Sequence, residues 1–152
     1  MSVLSQADLA VTLSTPLPDG TLILRELTGR ETIGALFEFT LVLDSLDAAV
    51  DPAKVVGKGM TVTVALPDGG KRFLHGLVSR FAQGATSGTG MGGGTVTYYA
   101  TLVPWAWMLT LSADCRIFQA MTAPEIIKKV CSDQGFTDLK DTLQGTYTAR
   151  DY

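Results

Sequence analysis

The hydrophobic and polar positions of this chain alternate with a period of two over most of its length. Thr21 to Leu27 reads as a strand closed by a turn at Gly29. Ala35 to Leu43 follows as another, with Phe37, Phe39 and Leu41 on one face and Glu38 and Thr40 on the other. Met60 to Leu66 alternates again, Val62, Val64 and Leu66 against Thr61, Thr63 and Ala65. Pro67-Asp68-Gly69-Gly70 is a turn signal and Arg72 to Val78 the returning strand, so 60–81 is a predicted hairpin. Gly84 to Gly94 reads as a long glycine-rich loop, and Thr95 to Val103 as a strand rich in Thr, Val and Tyr. Several strands at short spacing with few helices predict a mainly β protein with minor α, an antiparallel barrel or sandwich.

The pattern changes after Val103. Pro104-Trp105-Ala106-Trp107-Met108-Leu109 is a tryptophan-bearing turn, and Cys115-Arg116-Ile117-Phe118-Gln119 a short apolar strand. A helix is predicted over about 122–134. Thr122 and Glu125 have capping-box spacing, Ile126, Ile127, Val130 and Cys131 share one face, and Gly135 is the stop. Asp51 to Gly57 reads as one helical turn, capped by Asp51 with Pro52 in the first position. No internal repeat is present.

At 152 residues the chain buries one good core. Its 18% charged residues fall below the roughly 25% usual for globular domains. Such a sparsely charged surface implies that part of it is covered by something. A net charge of −3 with scattered basic residues, Lys71-Arg72 and Lys128-Lys129 being the densest pairs, argues against a nucleic-acid partner. Met1 to Asp8 lacks a basic start and an apolar run, so it is not read as a signal peptide. No apolar stretch approaches the roughly 20 residues that span a bilayer. These features predict folding in the cytoplasm, with any export by a route that needs no cleavable signal. Cys115 and Cys131 make no disulfide framework and are read as a reduced pair, a disulfide between them being the alternative.

Candidate chemistry is thin. His75, the one histidine, lies on the face opposite Leu74 and reads as a structural strand residue, because neither GxSxG nor HExxH accompanies it. Zinc cannot be held by His and Cys alone. Gly88-Thr89-Gly90-Met91-Gly92-Gly93 fits GxGxxG, but a strand follows instead of the helix whose N-terminus would meet a phosphate, and no Gly-Lys-Ser/Thr occurs. It reads as a hairpin loop. Glu31 and Glu38 are the weak candidates for a carboxylate pair. Trp105 and Trp107 would face one side if extended and could stack on a sugar; packing anchors are the preferred reading. No catalytic residue, metal or cofactor is predicted.

One set of motifs has an order. Gly29-Arg30-Glu31 precedes Leu36-Phe37-Glu38-Phe39; Val55-Val56-Gly57-Lys58 precedes the next strand; Phe73-Leu74-His75-Gly76 lies in the one after. Pro104-Trp105-Ala106-Trp107, then Arg116-Ile117-Phe118-Gln119, then Thr122 to Glu125-Ile126-Ile127 follow, and Tyr147 with Arg150-Asp151-Tyr152 closes the series. Together these steps resemble the N-terminal, phage tail-hub-like domain of VgrG, the spike protein family of the bacterial type VI secretion system. Asp151 stands where that pattern has Glu.

The resemblance implies a small antiparallel β-barrel of the tail-hub type in residues 1–120. Residues 121–152 would be a helix and the start of a following segment, in an N-terminal fragment of a longer protein. It implies a homotrimer that adapts a spike to the hexameric Hcp tube and transmits sheath contraction. A PAAR-type tip and effectors would attach through regions beyond this chain, with assembly in the bacterial cytoplasm followed by export. The alternatives are a contractile phage tail hub and, from another class, a glycan-binding or glycan-hydrolysing barrel built on Trp105, Trp107 and an acid.

Overall fold

The computed structural model describes residues 9–88, 94–137 and 139–151. The Met1–Asp8 stretch, Thr89 to Gly93 of the GxGxxG reading, and Tyr152 lie outside them. Two compact units divide the chain, Met1–Trp105 and Ala106–Tyr152.

The first unit is one antiparallel sheet. Its strands are β1 (Val11–Ser14), β2 (Ile23–Arg30), β3 (Glu38–Ser45), β4 (Gly59–Ala65), β5 (Lys71–Ser87) and β6 (Thr95–Val103), in the spatial order β1-β4-β5-β6-β3-β2. Period-two burial is clearest in β3, where Phe39, Leu41, Leu43 and Ser45 point inward and Glu38 and Thr40 outward. The inner face is continued by Met60, Val62, Leu74, Val78, Tyr98, Ala100 and Leu102, all in one core.

The sheet curls because β5 bends. Its first half pairs with β4 (Ala65↔Lys71 to Gly59↔Leu77), and its second half carries bulges between Val78 and Arg80 and between Gln83 and Thr86. Each bulge adds twist and turns the strand. The edge strands β1 and β2 approach each other without a ladder between them, so the sheet is a half-closed barrel. Leu17 and Leu22, on the connection between those edges, pack into the core.

Several sequence expectations are corrected. Gly29 is inside β2, paired with Phe39, and makes no turn. Ala35 to Phe37 precedes β3. The long glycine loop is shorter than expected, because Gly84 to Ser87 remain in β5, where the ring of Tyr99 covers Gly84. The tryptophan-bearing turn is a 3-10 helix, Trp105–Leu111. Residues 115–119 belong to no strand. The four-residue β1 carries too little alternation to be read in advance.

In the second unit α1 (Ala123–Asp133) forms as predicted. Thr122 Oγ1 accepts from Glu125 N–H at 3.4 Å, and Glu125 Oε2 accepts from Thr122 N–H at 2.7 Å. The far end is a Schellman motif: Gly135, at φ 84°, donates to Ser132 C=O at 2.9 Å, and Phe136 N–H to Cys131 C=O at 2.9 Å. Ile126 and Val130 are half-buried and Cys131 is buried, but Ile127 is 61% exposed, against expectation. It sits on the flank of the apolar stripe. Both cysteines are free thiols.

Candidate interaction surface

Four of the motif residues meet at the base of the β2–β3 connection. A Cβ placed on Gly29 would lie 2.0 Å from Cδ1 of Phe39, so that ring rests directly on the glycine. Phe37 stacks at a tilt against Phe39, with ring centres 5.2 Å apart. A Cβ on Gly76 would meet Val103 O at 2.7 Å and Phe37 Cε2 at 3.3 Å. Two glycines thus clear the space that two aromatic rings fill, which is how a sheet compensates for residues without side chains. Glu31, the neighbouring motif residue, is ion-paired with Arg72 of β5.

These contacts fix a loop. Ala35 N–H donates to Thr32 C=O at 3.2 Å, Gly34 takes φ 82°, and Arg30 Nε donates to Thr32 Oγ1 at 3.3 Å. At its tip Ile33 is fully exposed, and Leu36 is 45% exposed beside it. A cleft of about 390 Å³ runs between the loop and the outer face of the hairpin, lined by Thr28, Arg30, Ala35, Leu36, Glu38 and Thr40. Ile33 is thus an uncovered apolar tip on a base held by two rings and an ion pair.

A second concentration lies in the Ala106–Tyr152 unit. Arg116 donates from Nε to Asp114 at 2.7 Å and from a terminal nitrogen to Asp133 at 2.8 Å. The hydrogen bond from Arg116 holds the Asp114 carboxyl below the usual carboxylate range. Phe118 lines the same small cleft as Leu109 and Val130. Toward the N-terminal half of α1, Pro124, Ile127, Leu139, Leu143 and Tyr147 line an apolar groove of about 350 Å³. Lys128 and Asp141 on its rim are ion-paired.

The remaining motif residues are dispersed. Gly57 takes φ 74° and donates to Val78 C=O at 2.8 Å, closing the turn that leads into β4. Phe73 is 63% exposed on the outer face, and Gln119 is also exposed. Pro104 opens the 3-10 helix that carries Trp105 and Trp107, both half-buried. The segment is therefore not extended, the conformation in which residues two apart would face one side. His75 Nδ1 lies 2.8 Å from Thr61 Oγ1 across the β4–β5 ladder. Gly88 and Gly94 flank the residues outside the description, and β6 follows them. Among the described residues no three His, Cys, Asp or Glu side chains could hold one metal ion, and no helix is long and apolar enough to cross a membrane.

Sequence reasoning missed Ile33 and the pairing of Arg72 with Glu31. Ile33 sits in a motif but between polar residues, and only a surface shows that nothing covers it. The Arg72 pairing joins positions 41 apart in sequence.

Comparison with known proteins follows the same lines. Residues 30–152 match the family described as phage tail baseplate hub (GPD). The type VI secretion system spike protein VgrG1c of Pseudomonas aeruginosa is 40% identical over 148 residues, which is 97% of this chain and 20% of that protein. Spike protein VgrG1a of the same organism is 41% identical over 142 residues, 93% of this chain and 21% of the relative. The actin cross-linking toxin VgrG1 of Vibrio cholerae is 26% identical over 145 residues, 90% of this chain and 13% of the relative. The chain therefore spans about a fifth of the first two relatives. Among solved structures, an E. coli component of the type VI secretion system, described as similar to tail proteins of bacteriophage T4, superposes with a TM-score of 0.61 at 21% identity. That match covers 84% of this chain and 38% of the other.

Proposed function

The chain belongs to the phage tail baseplate hub family, and from that membership we propose that it is a structural part of a type VI secretion spike. Its half-closed barrel is the first hub barrel, and residues 121–152 open the segment that follows. In a protein of the relatives' length it assembles as a homotrimer, seats on the Hcp tube and passes the push of sheath contraction to the spike. The PAAR-type tip and effectors attach through other regions. Assembly takes place in the bacterial cytoplasm, and export uses the contractile apparatus.

The observation that carries this reading is the match over residues 30–152 together with where the motif residues lie. Gly29, Phe37, Phe39 and Gly76 serve packing, and the loop they support presents Ile33 to a partner. A protein whose motif builds a rigid loop under an uncovered isoleucine is organised to dock. The same object in a contractile phage tail is the second reading, favoured by the family's own description.

The test is the oligomeric state of the full-length protein by light scattering, with co-purification of Hcp tubes as the second readout. A trimer that retains Hcp supports the proposal. A full-length protein that stays monomeric overturns it. Loss of export when the sheath cannot contract separates the secretion reading from the phage reading.

A further inference from the structure

The stretch between the 3-10 helix and α1 has the side chains of a strand and no ladder. Cys115-Arg116-Ile117-Phe118-Gln119 is rich in residues that favour sheets. Among the described residues, none of the backbone groups of 113–119 shares a backbone hydrogen bond. Ile117 is 83% exposed. Yet the segment is held in place: Arg116 ties it to Asp133 at the end of α1, and Phe118 lines the cleft with Leu109 and Val130. The Cys115 N–H is taken by the Asp114 carboxylate; from Arg116 to Gln119 the backbone donors and acceptors have no backbone partner among the described residues, which is what a sheet edge offers to an added strand.

The direction of that strand is already marked. Just downstream, Met121 and Arg150 form an antiparallel bridge, with Arg150 N–H donating to Met121 C=O at 3.0 Å. In an antiparallel pair, the chain leaving Arg150 toward higher numbers runs beside the chain leaving Met121 toward lower numbers. A strand continuing in that direction would run along Gln119, Phe118 and Ile117. Ala120, at φ 53°, lies between the bridge and the open segment, so the pairing passes a bulge there.

We propose that Cys115–Gln119 is a strand position filled by the hub polypeptide that follows residue 152 in a chain of the relatives' length, added antiparallel as a continuation of the Met121–Arg150 bridge. The existence of that following segment rests on the hub reading; its position and direction rest on the bridge and the unpaired backbone. Once paired, the Ala106–Tyr152 unit is tied by a ladder to the chain beyond it. Ile117, now on the surface, becomes available to whatever packs on the new sheet.

The test is amide hydrogen exchange on the 152-residue protein. The probe is a synthetic peptide with the sequence that follows the aligned region in VgrG1c, and a second protein carries the same sequence appended after Tyr152. In the unextended protein, Arg116, Ile117 and Phe118 exchange at the rate of a free chain. With the appended sequence Arg116 and Phe118, whose N–H groups face the added strand beyond the bulge, slow by at least on the order of tenfold, while Ile117, which faces away, and α1 and β2 stay unchanged. Phe118→Pro removes a donor from the middle of the ladder and reverses the slowing at Arg116 without altering α1. Absence of slowing in both peptide and appended forms overturns the proposal, and so does slowing confined to the outer edge of β2. A full-length protein that trimerises with 115–119 unprotected refutes this inference alone. A monomeric one with those amides protected refutes the hub reading alone.

Discussion

Replacing Gly76 by alanine adds one methyl group at a glycine buried in the sheet core. Its position would be 2.7 Å from Val103 O, 3.3 Å from Leu102 Cβ and 3.3 Å from Phe37 Cε2. The first contact decides the outcome, because a backbone carbonyl in the β5–β6 ladder cannot swing away as a side-chain end can. Relief requires β5 to shift where it passes from β4 toward β6, next to the Leu77↔Val103 pair. Overpacking of this kind costs about 1–3 kcal/mol, and the reduced freedom of the unfolded chain returns about 0.4–1 kcal/mol. The net loss is then about 1–2 kcal/mol, or a fall in Tm of about 2–8 °C for a protein of this size. Urea titration followed by far-UV circular dichroism measures it. Gly70→Ala is the control: the nearest group there is Asp68 Oδ1 at 3.0 Å, the end of an exposed side chain, and the expected change stays within about 0.5 kcal/mol. Combining Gly76→Ala with Phe37→Leu should leave most of the loss in place. Full recovery in that double variant would refute the assignment to Val103, and a Gly76→Ala protein as stable as the parent would refute the packing argument altogether.

Three further outcomes follow from the same structure. Tyr98→Phe keeps the stack on Phe81 but removes the hydroxyl that donates to Asp47 C=O at 3.0 Å and accepts from Val50 N–H at 3.4 Å. The expected cost is about 1–3 kcal/mol, with faster exchange of the Val50 amide as the local readout. Thr122→Ala removes the cap of α1 and should cost about 0.5–2 kcal/mol, read as early fraying of residues 123–126. Glu125 shares that cap, and the Thr122 backbone N–H, then its hydroxyl, lower its pKa from 4.5. A lowered folded pKa gives stability that is complete above the ordinary value and fades as pH falls through the folded one. Acidification below about pH 4.5 should therefore loosen the first turn of α1, and in Thr122→Ala that dependence should flatten. Finally, Ile33→Asp should leave the urea midpoint unchanged while weakening trimerisation or Hcp retention of the full-length protein; Thr63→Asp, on the outer face and outside the cleft beside Leu36, should change neither.

Strands with clean alternation were legible in advance, and β6 carries the predicted limits of Thr95 and Val103. Their pairing was less so. Gly29 looks like a turn because glycine usually marks one, and only the ring of Phe39 lying on it shows why a strand residue must lack a side chain. Gly84 was assigned to a loop for the same reason, and the ring of Tyr99 keeps it in β5. In both cases the deciding contact is made by an aromatic residue on another strand, so local composition points the wrong way. The capping box of α1 was fully legible because all its partners lie within four positions. Arg116-Ile117-Phe118 shows the opposite limit: strand propensity was present, but a strand also needs a neighbour, and the described residues supply none.

The low charge content also changes meaning once placed. Read along the chain, it suggests one broad covered surface. In the fold, much of it is explained by threonines across the outer face, Thr28, Thr40 and Thr101 in one register row and Thr12 beside Thr63 in another. Threonine suits a pleated surface and its hydroxyl is satisfied by water, so these rows need no partner. What the fold leaves exposed is scattered: Ile33 and Leu36 at one loop, Phe73 and Tyr99 on the outer wall, Ile117 in the segment before α1, and Ile127, Leu143 and Tyr147 along one groove. Of these Ile33 is the most exposed, so it is the position at which substitution best tests the proposed docking. That placement shows how a motif can consist largely of packing residues and still bear on a surface: the glycines and rings beneath the loop fix the position of a side chain that the fold leaves bare.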